Sequence, residues 1–162
     1  MKKTNRLLAL LLVIIVAAAA LTSCFGGQAA STGTATIAIE RGEGDYVTFE
    51  VDLSKLTERN DGAFSLLKYI ASQKDSTLYY NVQWGGGYGA YITAIDTLSP
   101  NPTNQYIAIY TSEKADFAVP TEWTPVVPTV QYGEMTLTYS GVGLSEMHVN
   151  DGTVILFRLE GF

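Results

Sequence analysis

A chain of 162 residues in which 47% are hydrophobic and 16% charged suits one domain with a sizeable core, and two would be crowded. Sixteen acidic residues outnumber ten basic ones, with no basic cluster beyond the first few positions, which excludes a nucleic-acid partner because an acidic surface repels phosphate. One cysteine excludes an internal disulfide, so stability has to come from packing.

Taken in chain order, Lys2, Lys3 and Arg6 precede an apolar run from Leu7 to Leu21 that stops at Leu21-Thr22-Ser23-Cys24. This resembles a bacterial lipoprotein signal peptide with its lipobox: a basic head stays cytoplasmic, an apolar middle enters the bilayer, and small residues adjoin the cut. The run is shorter than the roughly 20 residues of a spanning helix, which points to removal of residues 1–23. Cys24 is then the lipid attachment point, and burial of its acyl chains at about 0.8 kcal/mol per methylene anchors an extracytoplasmic domain to the bacterial cell membrane. A secreted protein with an incidental cysteine, or an uncleaved anchor, are the other readings of this segment. Cleavage leaves seven basic against sixteen acidic residues, a net charge of −9 with His148 neutral. Such a surface is repelled by anionic membranes and leaves the lipid as the anchor.

Residues 24–33 are small, polar and glycine-rich, as in a flexible tether. The remaining 34–162 form the domain. Ile37 and Ile39 alternate within Thr34–Ile39, as do Val47, Phe49 and Val51 within Tyr46–Val51, and Arg41–Asp45 between them predicts a hairpin loop. A helix is expected from Gly62 or Ala63 to Gln73, capped by Asp61, with Ala63, Leu66, Leu67, Ile70 and Ala71 on one apolar stripe. Strands are expected over Thr77–Trp84 and Ala90–Ile95, around Gly85-Gly86-Gly87-Tyr88-Gly89. Pro100 and Pro102 mark a loop before a strand over Gln105–Thr111. Pro120, Pro125 and Pro128 surround Trp123 in a proline-rich excursion near 113–131, where missing backbone donors oppose regular structure. Met135–Tyr139 and Val154–Leu159 complete the set, the latter after the turn Asn150-Asp151-Gly152. The order, two strands, a helix and four or five more strands, predicts an α+β fold of β-grasp type, a mixed sheet packed on one helix.

Three pieces are similar to the small C-terminal β-domain of transcobalamin and intrinsic factor and to bacterial transcobalamin-like domains: Tyr88-Gly89-Ala90-Tyr91-Ile92-Thr93-Ala94-Ile95-Asp96, Gln105–Tyr110, and Val149–Phe157. An aromatic-glycine step opens a strand ending in Ile-Asp, a tyrosine strand follows, and Asp-Gly introduces the last strand. In the animal carriers this domain closes over cobalamin beside a helical barrel. The resemblance implies a ligand-contacting face at Tyr88, Gly89, Tyr91 and Thr93, with Tyr106 on the next strand. The barrel is missing here, and Ile107 stands where the carriers place a tryptophan, so binding could be weak, directed to another ligand, or dependent on a partner protein.

The chemistry of the side chains points away from an enzyme. His148 is the sole histidine, Cys24 is expected to be acylated, and Asp96 and Asp151 sit at turns where aspartate serves the backbone. The glycine-rich segment is followed by a strand, whereas a phosphate cradle opens a helix. It is read instead as a connection that lets a ligand approach, flanked by Trp84 and Tyr88, or as a simple loop. Glu43, Asp45, Glu50, Asn150 and Asp151 lack the dense spacing of a calcium loop, so no metal and no catalytic residue is assigned. Two functions remain. One is a lipid-anchored binding protein for cobalamin or another flat, partly apolar ligand, contacting it through Trp84, Tyr88, Gly89, Tyr91, Thr93 and Tyr106. The other is a surface interaction module, accessory to a transporter, a scaffold or a barrel-domain protein, with no ligand of its own.

Overall fold

The computed structural model describes residues 27–85 and 89–162. The expected signal peptide, Cys24 and Tyr88 lie outside the described residues. The alternating apolar residues near the start pair as the pattern requires. β1 (Thr34–Gly42) and β2 (Asp45–Asp52) run antiparallel with Ile37 opposite Phe49 and Ile39 opposite Val47. Gly44, at φ +76°, turns the chain between them.

The single α-helix among the described residues, α1 (Phe64–Ser72), buries Phe64, Leu66, Leu67 and Ile70. Ala71 is exposed and not part of that stripe. Asp61 does not cap the helix with its side chain. Its carbonyl accepts the Phe64 N–H at 3.0 Å, while its carboxylate pairs with Lys68 at 2.7 Å, so a tight turn replaces the cap. No helix among the described residues is long and apolar enough to cross a membrane.

Six strands form a mixed sheet in the order β2-β1-β8-β5-β7-β6, with β5 (Gln105–Thr111), β6 (Thr129–Tyr132), β7 (Met135–Tyr139) and β8 (Val154–Gly161). β1 and β8 are parallel, Ile37 beside Ile155 and Ile39 beside Phe157. The other pairs are antiparallel. Ile37, Ile39, Ile107, Ile155 and Phe157 share one core with α1. The alternate residues Ala38, Ala108, Tyr110 and Leu156 form a smaller core on the opposite face, edged by Tyr46, Tyr106, Tyr132 and Tyr139. The tyrosines therefore divide between packing and surface. Tyr110 is 2% exposed and donates to Glu160 at 3.0 Å, whereas Tyr91 is 49% exposed.

Three expectations need correction. β3 (Tyr80–Trp84) and β4 (Ala90–Ile95) do not join the main sheet but make a separate two-stranded one, which buries Ile92 and Ile95 in the helix-side core. The excursion is shorter than expected, because Thr129–Tyr132 pairs with β7 through the two-residue turn Gly133-Glu134. The tether is bound from Gly27 onward. Ala29 is 5% exposed and bridges Val149, its N–H bonds the Arg59 carbonyl at 3.0 Å, and the Ala30 N–H bonds the Val149 carbonyl at 2.7 Å.

Candidate functional site

β5 pairs with β7 only at Tyr110 and Thr111. The rest of that edge, from Tyr106 to Ile109, borders a cleft of about 390 Å³ closed by the start of β4 and by the Ser140–Gly143 turn. Its floor is apolar, with Ile107, Ile109 and Val142, and its rim carries Tyr91, Tyr106 and Tyr139. Close backbone packing shapes the turn: a Cβ on Gly141 would lie 2.8 Å from the Ala118 Cα, so glycine lets the turn lie against the chain leaving Phe117. The Ser140 hydroxyl donates to the Val142 carbonyl at 2.8 Å and holds the turn from within.

Two of the rim phenols, Tyr106 and Tyr139, are held in their protonated form. Burial, then the nearby Glu160 charge, raises the Tyr106 phenol above its ordinary value, and burial, then Tyr106, does the same for Tyr139. The Tyr106 ring stacks on Phe162 at 5.3 Å and the Tyr139 ring meets Tyr110 edge-on at 5.7 Å, which fixes both orientations. The result is an apolar slot whose edges offer neutral hydrogen-bonding tips, suited to the flank of a flat ligand.

Of the expected contact residues, the structure brings Tyr91 and Tyr106 together at this cleft, along with Gly85. Gly89 stands behind it. Its φ is +70° and a Cβ there would be 2.0 Å from the Ser145 hydroxyl, which accepts the Ala90 N–H at 3.0 Å. Trp84 does not line the cleft; its ring packs edge-on against Phe64 at 5.4 Å and remains 59% exposed. Thr93 also lies elsewhere, its hydroxyl donating at 3.4 Å to the Asn81 carbonyl across the β3–β4 hairpin. Sequence reasoning missed Tyr139, Ile109 and Val142, which become neighbours only because β7 ends beside Tyr110 and the Ser140–Gly143 turn follows along β5.

It also missed the partner of His148. Asp116, 1% exposed, lies in a short 3-10 turn (Lys114–Asp116) and accepts from both the backbone N–H and the ring Nδ1 of His148 at 2.7 Å. Among the described residues no serine hydroxyl hydrogen-bonds that ring. Asp151 and Asp96 act at the turns. Asp151 accepts the Thr34 N–H at 2.9 Å, and Asp96, at φ +51°, accepts from Arg41 Nε at 2.5 Å and Nη2 at 2.8 Å. No three His, Cys, Asp or Glu side chains converge among the described residues.

No protein-family model matches the chain, and no curated protein matches it at a significant level. Among solved structures it is similar to a protein from Ruminococcus gnavus provisionally described as metal binding, with a TM-score of 0.50 and 15% identity over 80% of this chain and 98% of the other. At that identity the likeness establishes a shared α+β fold, a mixed sheet with a single helix, and nothing finer.

Proposed function

We propose that this is a lipid-anchored extracytoplasmic binding protein whose cleft between β4, β5 and the Ser140–Gly143 turn holds the edge of a flat, partly apolar ligand. The observation that carries the reading is the cleft itself, an apolar floor with three tyrosines at its rim. A corrinoid such as cobalamin is the ligand favoured by the transcobalamin-like strands, two of which supply Tyr91 and Tyr106. The strand order β2-β1-β8-β5, with β1 and β8 parallel at the centre and α1 on one face, supports the β-grasp reading behind that resemblance. A corrinoid is much larger than the cleft, so this domain would hold one flank and leave the other to solvent or to a second protein.

The test is calorimetric titration of the lipidated full chain in detergent with cyanocobalamin, read in parallel by its visible spectrum. Saturable heat with one ligand per chain is expected. No heat and an unchanged spectrum at high micromolar protein would remove the corrinoid.

One observation favours a second reading, an interaction module. The Ile109 carbonyl accepts the Ser140 N–H at 2.8 Å, which shows that this edge of β5 faces the cleft, and by strand alternation the main-chain groups of Ile107 face it too. Among the described residues none pairs with them. An extended peptide could add there. Pull-down from membranes with the native chain and with Tyr91→Ala separates the readings: an altered partner list supports the module, and an unchanged list removes the cleft from it.

A further inference from the structure

The excursion between Phe117 and β6 leaves the main sheet at the end where the chain enters it. β1 and β8 begin there, Thr36 beside Val154; β5 ends there, Thr111 opposite Ile155; β7 ends there and β6 begins, Thr138 opposite Thr129. A direct link joins the two at their bases. Asp116 holds the His148 N–H at 2.7 Å, and the preceding Met147 carbonyl lies so close to Gly27 that a Cβ there would be 2.1 Å away. The first described residue and the base of the excursion thus meet adjacent residues of one segment.

From Val119 to Pro128 the excursion reads VPTEWTPVVP, with Glu122 its one charge. Its prolines withhold the donors a sheet would need. A tight turn closes its tip, with the Thr121 N–H bonding the Thr124 carbonyl and the Thr124 N–H bonding the Thr121 hydroxyl, both at 3.0 Å. That turn lifts Trp123 to 89% exposure, with Val119 at 79% and Val126 at 78%. Folding gains nothing from presenting a tryptophan to water in this way, whereas the headgroup level of a bilayer favours such a ring, apolar in body with one N–H donor.

The lipid-anchor reading, on which this step rests, supplies the bilayer. Cys24 precedes Gly27 by three residues, a reach of about 10 Å when extended. An acylated Cys24 therefore holds this end of the sheet close to the membrane. The five residue steps from Ala118 to Trp123 span at most about 17 Å, enough to reach the same surface. We propose that the excursion is a second membrane contact: Trp123, flanked by Val119 and Val126, enters the headgroup–acyl boundary of the bilayer in which Cys24 is anchored. The contact is apolar, so the acidic surface does not forbid it. It depends on the anchor for the high local concentration of lipid, and two attachment points in place of one set the direction in which the cleft faces.

The experiment uses the full lipidated chain with Trp84→Phe, which leaves Trp123 as its one tryptophan. The protein is reconstituted in phosphatidylethanolamine–phosphatidylglycerol vesicles with and without brominated acyl chains. Mass spectrometry of the Cys24 peptide reports the anchor independently. The expected result is a diacylglyceryl-modified Cys24, emission shifted to shorter wavelength, at least twofold quenching by brominated lipid and reduced quenching by acrylamide. Cys24→Ser protein mixed with the same vesicles should emit as in water. A modified Cys24 with Trp123 as accessible to acrylamide as in detergent-free solution, and untouched by brominated lipid, would overturn the second contact and leave the anchor standing. A protein partner would then be the occupant. An unmodified Cys24 would overturn both.

Discussion

Asp116 holds His148 at two points, the backbone N–H and the ring Nδ1, both at 2.7 Å, from a carboxylate that is 1% exposed while the imidazole remains 53% exposed. The two bonds do different work. The backbone bond ties the 3-10 turn at the base of the excursion to the segment that also receives Gly27, whereas the ring bond orients the half-exposed imidazole.

The asymmetry predicts unequal costs. Asp116→Ala strands a main-chain donor and removes two charge-assisted bonds, so it should cost about 2–4 kcal/mol, whereas His148→Ala, which keeps the backbone bond, should cost about 1 kcal/mol or less. Urea unfolding of the two variants checks this. Equal losses would show that the ring bond, rather than the backbone bond, is the one that matters.

Glycines in the left-handed region provide a second comparison. Gly62 has φ +47° and a Cβ there would sit 2.2 Å from the Met147 carbonyl oxygen, while Gly133 has φ +59° with open space around it. Gly133→Ala should cost only the backbone term, about 1 kcal/mol, and Gly62→Ala should cost at least about 3 kcal/mol because backbone must move as well. Thermal melts of both variants measure the difference, and similar melting temperatures would mean that the Met147 segment yields freely.

The Arg41–Asp96 pair predicts a pH dependence. The Arg41 hydrogen bonds, opposed by burial, hold the Asp96 carboxyl below its ordinary value. A depressed carboxyl contributes stability that is present above its unfolded value, about 3.9, and is lost as pH falls through the lower folded value. Arg41→Met should therefore be less stable than the native chain at pH 7, with the gap closing below about pH 4. Denaturant midpoints measured from pH 7 to pH 2 test it; a gap that stays constant would assign the loss to packing rather than charge.

What could be read in advance follows from how locally each feature is encoded. The β1–β2 hairpin, α1 and β5 were legible because Ile37 and Ile39, Leu66 and Ile70, or Ile107 and Ile109 repeat within a few residues at the period of their element. Strand partnership is not encoded in that way. Nothing in the alternation of Ala90–Ile95 says that it pairs with β3 alone, and Pro128 hid a strand that starts one residue later. The site suffered for the same reason. Tyr91 and Tyr106 could be placed at the cleft in advance because they sit in recognisable strands, whereas Tyr139 and Val142 reach it only through the β5–β7 register. Asp116 lies 32 residues from His148, beyond any spacing rule. Trp84 could not be placed from its sequence because an exposed aromatic on a strand reads alike whether it borders a cleft or covers Phe64.

The cleft yields the last prediction. Tyr91 is 49% exposed on β4 and its ring borders the cleft. Truncating an exposed rim residue leaves the folded core intact, so Tyr91→Ala should change stability by less than about 0.5 kcal/mol. The ring it removes would contribute about 1.5–3 kcal/mol when covered by a ligand, so affinity for cyanocobalamin should fall by about 10- to 150-fold. Thr93→Ala, on the same strand but directed to Asn81, should leave affinity within about twofold, which makes it the control for disturbance of β4 itself. Calorimetric titration of both variants distinguishes the cases. If Thr93→Ala weakens binding and Tyr91→Ala does not, the ligand lies on the outer face of the β3–β4 hairpin, and the cleft beside β5 is a packing feature.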